Sequence, residues 1–209
     1  MALTLLNIYN KVAGQAWSMF DGDVEDEGEF ESSLLSSIQK ALSDLWCKYP
    51  YPFRYKDYNF TTESGVKSYE LPNGNIVEKT IEGETKYCVT CNGKYLSYID
   101  DYSSLAEATG TPTSFYLKND KIFLYPTADV EYSINIEYLT LEVGVNAENT
   151  AIFTVSKDTD VIVVPAKYEV LFENALITLS MHYAIASTSN QNYSSYQAQA
   201  ETAYQMLVK

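Results

Sequence analysis

The stretch that decides the fold runs from Gly110 to Thr140 and reads GTPTSFYLKNDKIFLYPTADVEYSINIEYLT. Two runs rich in aromatic and aliphatic residues, Ser114–Lys118 and Lys121–Tyr125, flank a short turn, so they predict a β-hairpin. Apolar and polar residues then alternate from Glu131 to Tyr138, which predicts a third strand with one buried face. Proline cannot donate to a strand ladder, so Pro126 separates the hairpin from this strand.

The same period of two extends over about 53–164. Turn residues such as Asn73-Gly74 and Asn92-Gly93 punctuate it. Further strands are predicted at Lys86–Cys91, Lys94–Ile99, Ala151–Val155 and Val161–Val164, and a short helical turn at Ser103–Thr109. Because turns join the strands directly, we expect the strands to be antiparallel.

Helical spacing of apolar residues dominates both ends of the chain. A first stripe ends at Asp21-Gly22-Asp23, and a second ends at Pro50 and Pro52, which cannot continue a helix. Two more helices are predicted after Pro165, separated by the polar run 187–190. The four stripes are formed by Leu5, Ile8, Tyr9, Val12, Ala16 and Phe20; Phe30, Leu34, Ile38, Ala41, Leu42, Leu45 and Trp46; Tyr168, Leu171, Phe172, Ala175, Leu176, Leu179 and Tyr183; and Tyr193, Tyr196, Ala200, Ala203, Tyr204 and Leu207.

Helices followed by strands and then helices again indicate the α+β class. We therefore expect a four-helix bundle of two N-terminal and two C-terminal helices, with an inserted antiparallel β-rich lobe. The expected boundaries are 1–52 for the N-terminal helical half, 53–164 for the β-rich lobe and 165–209 for the C-terminal half.

Charge and composition exclude several classes of function. The net charge is −14, with only 14 Lys and Arg residues among 209, whereas a nucleic-acid-binding protein needs cations to displace phosphate counterions. No stretch approaches the roughly 20 apolar residues of a membrane span, and the N-terminus lacks a signal-peptide pattern. We expect no membrane association and a protein made in the cytoplasm.

Candidate chemical sites are sparse, and none is predicted to be catalytic, cofactor-binding or metal-binding. His182 is the single histidine, and a helix contact explains it better than a catalytic triad does. Cys88 and Cys91 form a lone C-x-x-C without the second pair that a structural zinc site needs. An acidic loop begins at Asp21, and it has Asp26, not glycine, at the sixth position of a calcium loop, so no calcium site is predicted.

The residues from Gly110 to Thr140 are similar to a pattern of head–tail connector adaptors of tailed bacteriophages, the ring or head-completion proteins below the portal. Leu5-Leu6-Asn7-Ile8-Tyr9 resembles the opening helix of that family. Leu34 to Trp46 with Tyr51-Pro52-Phe53 resembles its second helix and exit, and the segment after Pro165 its closing helices. The Tyr- and Asn-rich composition resembles ring proteins of crAss-like gut phages.

The resemblance implies a non-enzymatic virion protein at the head–tail interface, assembled in the host cytoplasm as a dodecameric ring beneath the portal. Its implied partners are the portal protein, further tail or ring proteins and other copies of itself, with DNA only as cargo in the channel. The resemblance places the portal contact near the C-terminus, at Tyr204, Gln205, Met206, Leu207, Val208 and Lys209.

We hypothesise that the acidic loop lines the channel or meets a basic neighbour; a merely solvated loop is the alternative. Its candidate residues are Asp21, Asp23, Glu25, Asp26 and Glu27. Two other functions stay open. An aromatic β-lobe could bind carbohydrate or protein, and scattered carboxylates could serve a hydrolase.

Overall fold

The computed structural model describes residues 3–20, 27–48, 50–81 and 83–186, together with residues 198, 199, 201, 202 and 205. For 17–20, 27–30 and 185–186 it describes the backbone alone. The elements in chain order are β1 (Leu3–Thr4), α1 (Leu5–Phe20), α2 (Glu27–Lys48), β2 (Tyr55–Thr61), β3 (Ser68–Glu70), β4 (Gly74–Ile76), β5 (Glu78–Ile81), β6 (Glu84–Tyr87), β7 (Val89–Cys91), β8 (Lys94–Tyr95), β9 (Ser97–Tyr98), β10 (Ser114–Lys118), β11 (Lys121–Tyr125), β12 (Ser133–Thr140), β13 (Gly144–Val145), β14 (Ala151–Ile152), β15 (Val161–Ile162) and α3 (Ala166–Ala186).

Contacts divide the chain into two compact units. The helical unit comprises Met1–Phe53 and Glu142–Lys209, and the β unit comprises Arg54–Leu141. Each unit has its own hydrophobic core. The segment 142–164, which the sequence analysis assigned to the β-rich lobe, lies in the helical unit.

The helices of the helical unit begin and end where the sequence predicts. Thr4 Oγ1 accepts a hydrogen bond from the Asn7 N–H at 3.2 Å and so caps α1. Helix α2 ends at Lys48, just before the two prolines, and α3 begins directly after Pro165. The described side chains at the predicted core positions of α1 and α2 are buried, except that Tyr9 is only partly buried.

Helix α3 is more deeply buried than its predicted stripe. Between Ala175 and Ala184 all but two of its side chains are buried, Ser180 and His182 among them. Phe172 makes edge-on contacts with Trp46 at 5.9 Å and with Tyr51 at 6.3 Å, measured between ring centroids. This aromatic cluster attaches α3 to the end of α2.

A four-stranded antiparallel sheet completes the core of the helical unit, in the order β1-β15-β13-β14. One row of paired residues crosses the sheet in the order Leu3, Ile162, Gly144 and Ile152. A Cβ atom on Gly144 would lie 2.0 Å from the Val161 carbonyl oxygen. Only glycine fits where these strands approach so closely.

The core of the β unit lies between two sheets. In one, β12 is central, with β2 on one side and β7 and β4 on the other; the second has the order β3-β11-β10-β9. Both sheets contribute side chains to a single core. Its buried members are Val89, Cys91, Leu96, Phe115, Ile122, Leu124, Ile134 and Ile136.

The structure contradicts the predicted four-helix bundle. The part of the chain with assigned elements has three helices and many strands in several sheets. The predicted last helix, 193–207, lies largely outside the described residues. The physical reason for the difference is that strand residues Leu3 and Ile162, together with Val143 just before β13, fill core space beside the helices.

Two smaller predictions about the β-rich part are also wrong. Strand β9 pairs with β10 in parallel, so the pairing is not antiparallel throughout. The segment Ser103–Thr109 contains a turn, closed by a 3.3 Å bond from the Leu105 N–H to the Tyr102 carbonyl, and no helix.

Candidate assembly surfaces

The helical unit exposes large apolar side chains next to its small sheet and at the start of α3. Phe153 and Val163 are 53% and 54% exposed, and Val170 is 67% exposed. Phe153 directly follows β14 and Val163 directly follows β15, the two strands that flank β13. Exposed apolar groups of this size mark candidate contacts with other protein chains.

The β unit carries an aromatic stack on its outer surface. Tyr102, Tyr116 and Phe123 lie nearly parallel, with centroid distances of 4.5 Å for the first pair and 4.9 Å for the second. The Lys118 ammonium lies 5.4 Å from the Tyr102 ring centroid. The faces of these rings therefore contact one another and the Lys118 side chain.

A groove of about 470 Å³ opens in the helical unit between α1, α2 and the loop before β15. Three leucines line it, and two carboxylates, Glu31 and Asp158, lie at its exposed rim. Its lining consists of Leu5, Leu6, Tyr9, Asn10, Glu31, Ser32, Leu35, Ser156 and Asp158. Burial, and then the Glu31 and Asp158 carboxylates, raise the pKa of the Tyr9 phenol above its ordinary value.

Buried Asp160 fixes the loop wall of this groove. Its Oδ2 accepts hydrogen bonds from the N–H groups of Ser156 at 2.7 Å and Lys157 at 2.9 Å. The Leu5 N–H donates to the Asp160 carbonyl at 3.0 Å, which joins the loop to the start of α1. Gln39 of α2 donates to the Val155 carbonyl at 2.8 Å. All three walls are therefore connected by hydrogen bonds.

The predicted acidic loop falls mostly outside the described residues. Asp21, Asp23, Glu25 and Asp26 lie there, whereas Glu27 is the first residue of α2. Glu31, at the end of the same acidic stretch, lies on α2 beside the groove. The sequence analysis missed the groove because Asp158 is distant in sequence, and only the paired strands β1 and β15 bring it beside α1.

The predicted portal contact also falls largely outside the described residues, which exclude Tyr204, Met206, Leu207, Val208 and Lys209. Gln205 is helical and donates to Glu201 Oε1 at 3.3 Å. Lys48, at the end of α2, forms a 3.2 Å ion pair with Glu201. The hydrogen bonds from Gln205 and then from Lys48 lower the pKa of the Glu201 carboxyl.

His182 and the cysteines occupy structural positions. His182 is buried in α3, and its ring lies 5.3 Å from that of Tyr183. Cys91 belongs to the core of the β unit, whereas Cys88 lies between β6 and β7 outside that core cluster. Cys47, Cys88 and Cys91 are all free thiols.

Within the described ranges, no group of three or more His, Cys, Asp or Glu side chains is arranged to hold a metal ion. None of the described helices is long and apolar enough to cross a membrane.

Comparison with known proteins gives one result. The model of the family described as SU10 adaptor protein matches residues 4–209, which is nearly the whole chain. A comparison with curated proteins finds no match.

Proposed function

We propose that this chain, which belongs to the SU10 adaptor protein family and is a structural adaptor of a bacteriophage, forms a ring beneath the portal. The ring would connect the capsid to the tail and extend the DNA channel. The family match over residues 4–209 is the observation that carries this proposal. A structural adaptor is a non-enzymatic component of the virion and contacts other head or tail proteins.

The exposed apolar groups suit such an assembly. A closed ring of identical subunits is heterologous, because each copy meets its neighbours through two different surfaces. Phe153, Val163 and Val170 on the helical unit and the Tyr102 stack on the β unit offer two chemically different surfaces. We propose a dodecamer, located at the head–tail interface of the virion and assembled in the host cytoplasm; an origin in a crAss-like phage is a further proposal.

The negative charge suits a wall along which DNA passes. A net charge of −14 repels phosphates, so packaged DNA would move along the channel without binding. We propose that the acidic loop, Asp21 to Glu27, faces the channel or a basic neighbour. Reversing its charges to lysine is expected to slow DNA ejection or block assembly, and unchanged infectivity would contradict this role.

The ring proposal is tested by measuring mass in solution. The purified chain is examined by light scattering alone and after mixing with the portal protein encoded beside it. A ring-sized complex that needs the portal is the expected result. If the chain does not bind the portal protein at any concentration tested, the ring proposal is contradicted.

Truncation tests the proposed portal contact. Deleting residues 204–209 is expected to abolish complex formation. The double variant Glu131→Gln/Glu148→Gln, at two exposed positions in loops, serves as a control that should bind normally. Equal binding by the truncated chain would move the portal contact elsewhere without affecting the ring proposal.

The carbohydrate-binding alternative is not favoured. A sugar-binding platform needs an open aromatic face, and in the Tyr102, Tyr116 and Phe123 stack the rings pack face to face. We therefore advance no second function.

A further inference from the structure

We propose that the groove between α1, α2 and the 156–160 loop binds a Lys or Arg side chain from an exposed segment of another virion protein. This inference rests on the proposed function, because it names the chemistry of one contact that the adaptor makes. The occupant is a cationic segment of a different protein, not a second copy of this chain.

Charge complementarity points to a cation. Glu31 lies on α2 and Asp158 in the loop before β15, and no Lys or Arg is among the described residues that line the groove. Among the described residues, neither carboxylate forms an ion pair. The phenol of Tyr9 lines the same groove, and burial first, then the Glu31 and Asp158 carboxylates, raise its pKa. The preceding sequence from Asp21 to Glu29 adds six acidic residues and no basic ones.

The shape of the groove suits a long side chain with an apolar stem. Leu5, Leu6 and Leu35 line its walls, and the carboxylates occupy its rim. Lys and Arg place their methylene groups along apolar surfaces while the charged head stays near water. A short polar residue would not reach along the leucines, and an anion would be repelled by the carboxylates.

Hydrogen bonds fix the walls of the groove relative to one another. The Asp160 carboxylate holds the 156–160 loop through two backbone N–H groups, and the bonds from Leu5 and Gln39 fix that loop to α1 and α2. A preformed site loses less conformational freedom on binding, which favours affinity.

Half of the 14 basic residues of this chain, six lysines and Arg54, are engaged within it, which makes a second copy the poorer source of a cation. Six lysines form ion pairs with glutamates of the same chain, at 2.5 to 3.3 Å. Arg54, the single arginine, is buried and donates to the Thr140 carbonyl at 3.2 Å. With 28 acidic and 14 basic residues, a second copy would bring mostly carboxylates to this acidic groove. A different, basic protein is the better source.

The test compares binding of the full chain to two probes, the portal protein and the tail protein encoded next to it. The groove variant Glu31→Gln/Asp158→Asn removes both rim charges without changing side-chain size. The control Glu131→Gln/Glu148→Gln removes the same number of charges at exposed positions away from the groove. A second groove variant, Leu6→Ser, leaves the charge unchanged and tests the apolar wall.

We expect the Glu31→Gln/Asp158→Asn variant to bind one of the two probes about tenfold more weakly at low salt. The difference from wild type should shrink in about 1 M salt, because the attraction is screened. Leu6→Ser should weaken the same probe about threefold, and the control should bind within about twofold of wild type. Melting curves check that each variant is folded.

Three outcomes overturn the inference. If the portal or tail protein binds wild type and groove variants equally, the groove is not the contact, yet the adaptor role stands. If wild type binds neither probe, both the inference and the proposed ring fail. Equal losses in the groove and control variants would show that overall charge matters and would also overturn the assigned site.

Discussion

Asp160 shows how a single carboxylate can shape a surface. Its side chain is only 2% exposed, and a charge at such a position is stable only with partners. The N–H groups of Ser156 and Lys157 serve as those partners, at 2.7 and 2.9 Å. The residue therefore converts a short loop into a fixed wall.

Replacing this carboxylate should destabilise the protein measurably. In Asp160→Ala two backbone N–H groups lose their acceptor, and hydrogen bonds to charged groups contribute about 1.5–3 kcal/mol each. Because Ser156 and Lys157 are exposed, water can replace part of the lost bonding, so we expect the free energy of unfolding to fall by about 2–3 kcal/mol in urea denaturation. Asp158→Ala, at an exposed position two residues earlier, is the matched control and should change it by less than about 0.5 kcal/mol. Equal effects would mean that the loop bonds add nothing.

The three thiols differ in environment and should differ in reactivity. Cys47 is exposed, whereas Cys88 and Cys91 are buried. Burial raises the pKa of both buried thiols, for Cys88 as the largest of several effects. A higher pKa means less thiolate near neutral pH, and the thiolate is the reactive form.

One thiol should therefore react quickly with a thiol reagent at pH 8, and two only on unfolding. The measurement is the colour released by an aromatic disulfide reagent, with and without guanidinium. In Cys47→Ser the fast reaction, which we assign to Cys47, should disappear. The reaction of Cys88 and Cys91 on unfolding should remain. Two fast thiols in the native protein would show that the Cys88 or Cys91 environment opens readily.

At the scale of elements, two glycines offer opposite predictions. Gly14 lies in the exposed middle of α1 with nothing within 4 Å of an added Cβ, whereas a Cβ on Gly144 would lie 2.0 Å from the Val161 carbonyl. Gly14→Ala should stabilise the protein by about 0.5–1 kcal/mol, since alanine loses less backbone entropy in a helix. Gly144→Ala should destabilise it by about 1–3 kcal/mol by forcing β13 from β15.

Thermal and urea unfolding of the two variants beside wild type would measure these effects. Because both variants replace glycine by alanine, any difference between their unfolding free energies reflects the position of the glycine and not the chemistry of the new side chain. A stable Gly144→Ala protein would mean that the strands can separate without cost, contrary to the close approach of their backbones.

Elements with strong local signals could be predicted from sequence. The hairpin strands β10 and β11 have the bounds that the pattern of Gly110–Thr140 gives, and Ile134 and Ile136 face the core as their alternation predicts. The predictions fail where residues distant in sequence determine the local conformation. The Ser103–Thr109 segment is joined at its end to Thr127, whose N–H donates to the Ala108 carbonyl at 2.9 Å. No local periodicity indicates that bond.

At the scale of the whole molecule, sequence reasoning misjudged what fills the helical core. A helical stripe shows which face of a helix is buried, but it does not show which element packs against that face. Four such stripes therefore suggested that the helices pack against one another as a bundle. In the structure, Leu3 and Ile162 pair across β1 and β15 and bring strand residues into the same core as α1 and α2. Such pairing joins residues from the two ends of the chain, which is why neither this sheet nor the groove beside it could be derived.

Each unit should fold without the other, because each has its own core. The two chain crossings between the units lie side by side. Tyr55 and Leu139 are cross-strand partners, and Arg54 donates to the Thr140 carbonyl at 3.2 Å. A short Gly-Ser linker from Phe53 to Glu142 should therefore replace the β unit without strain.

We expect the chain lacking 54–141 to keep the helical circular dichroism of the full protein, and the isolated segment 54–141 to give dispersed amide NMR signals. Both should melt cooperatively, as small domains with one core do. Deleting only 114–141 is the control: it removes β10, β11 and β12, so the core of the β unit loses Phe115, Ile122 and Ile134, and the remainder of that unit should be disordered. If either isolated unit failed to fold while the full chain melts in a single transition, the two cores would depend on each other, and an adaptor built from two separately stable units would have to be abandoned.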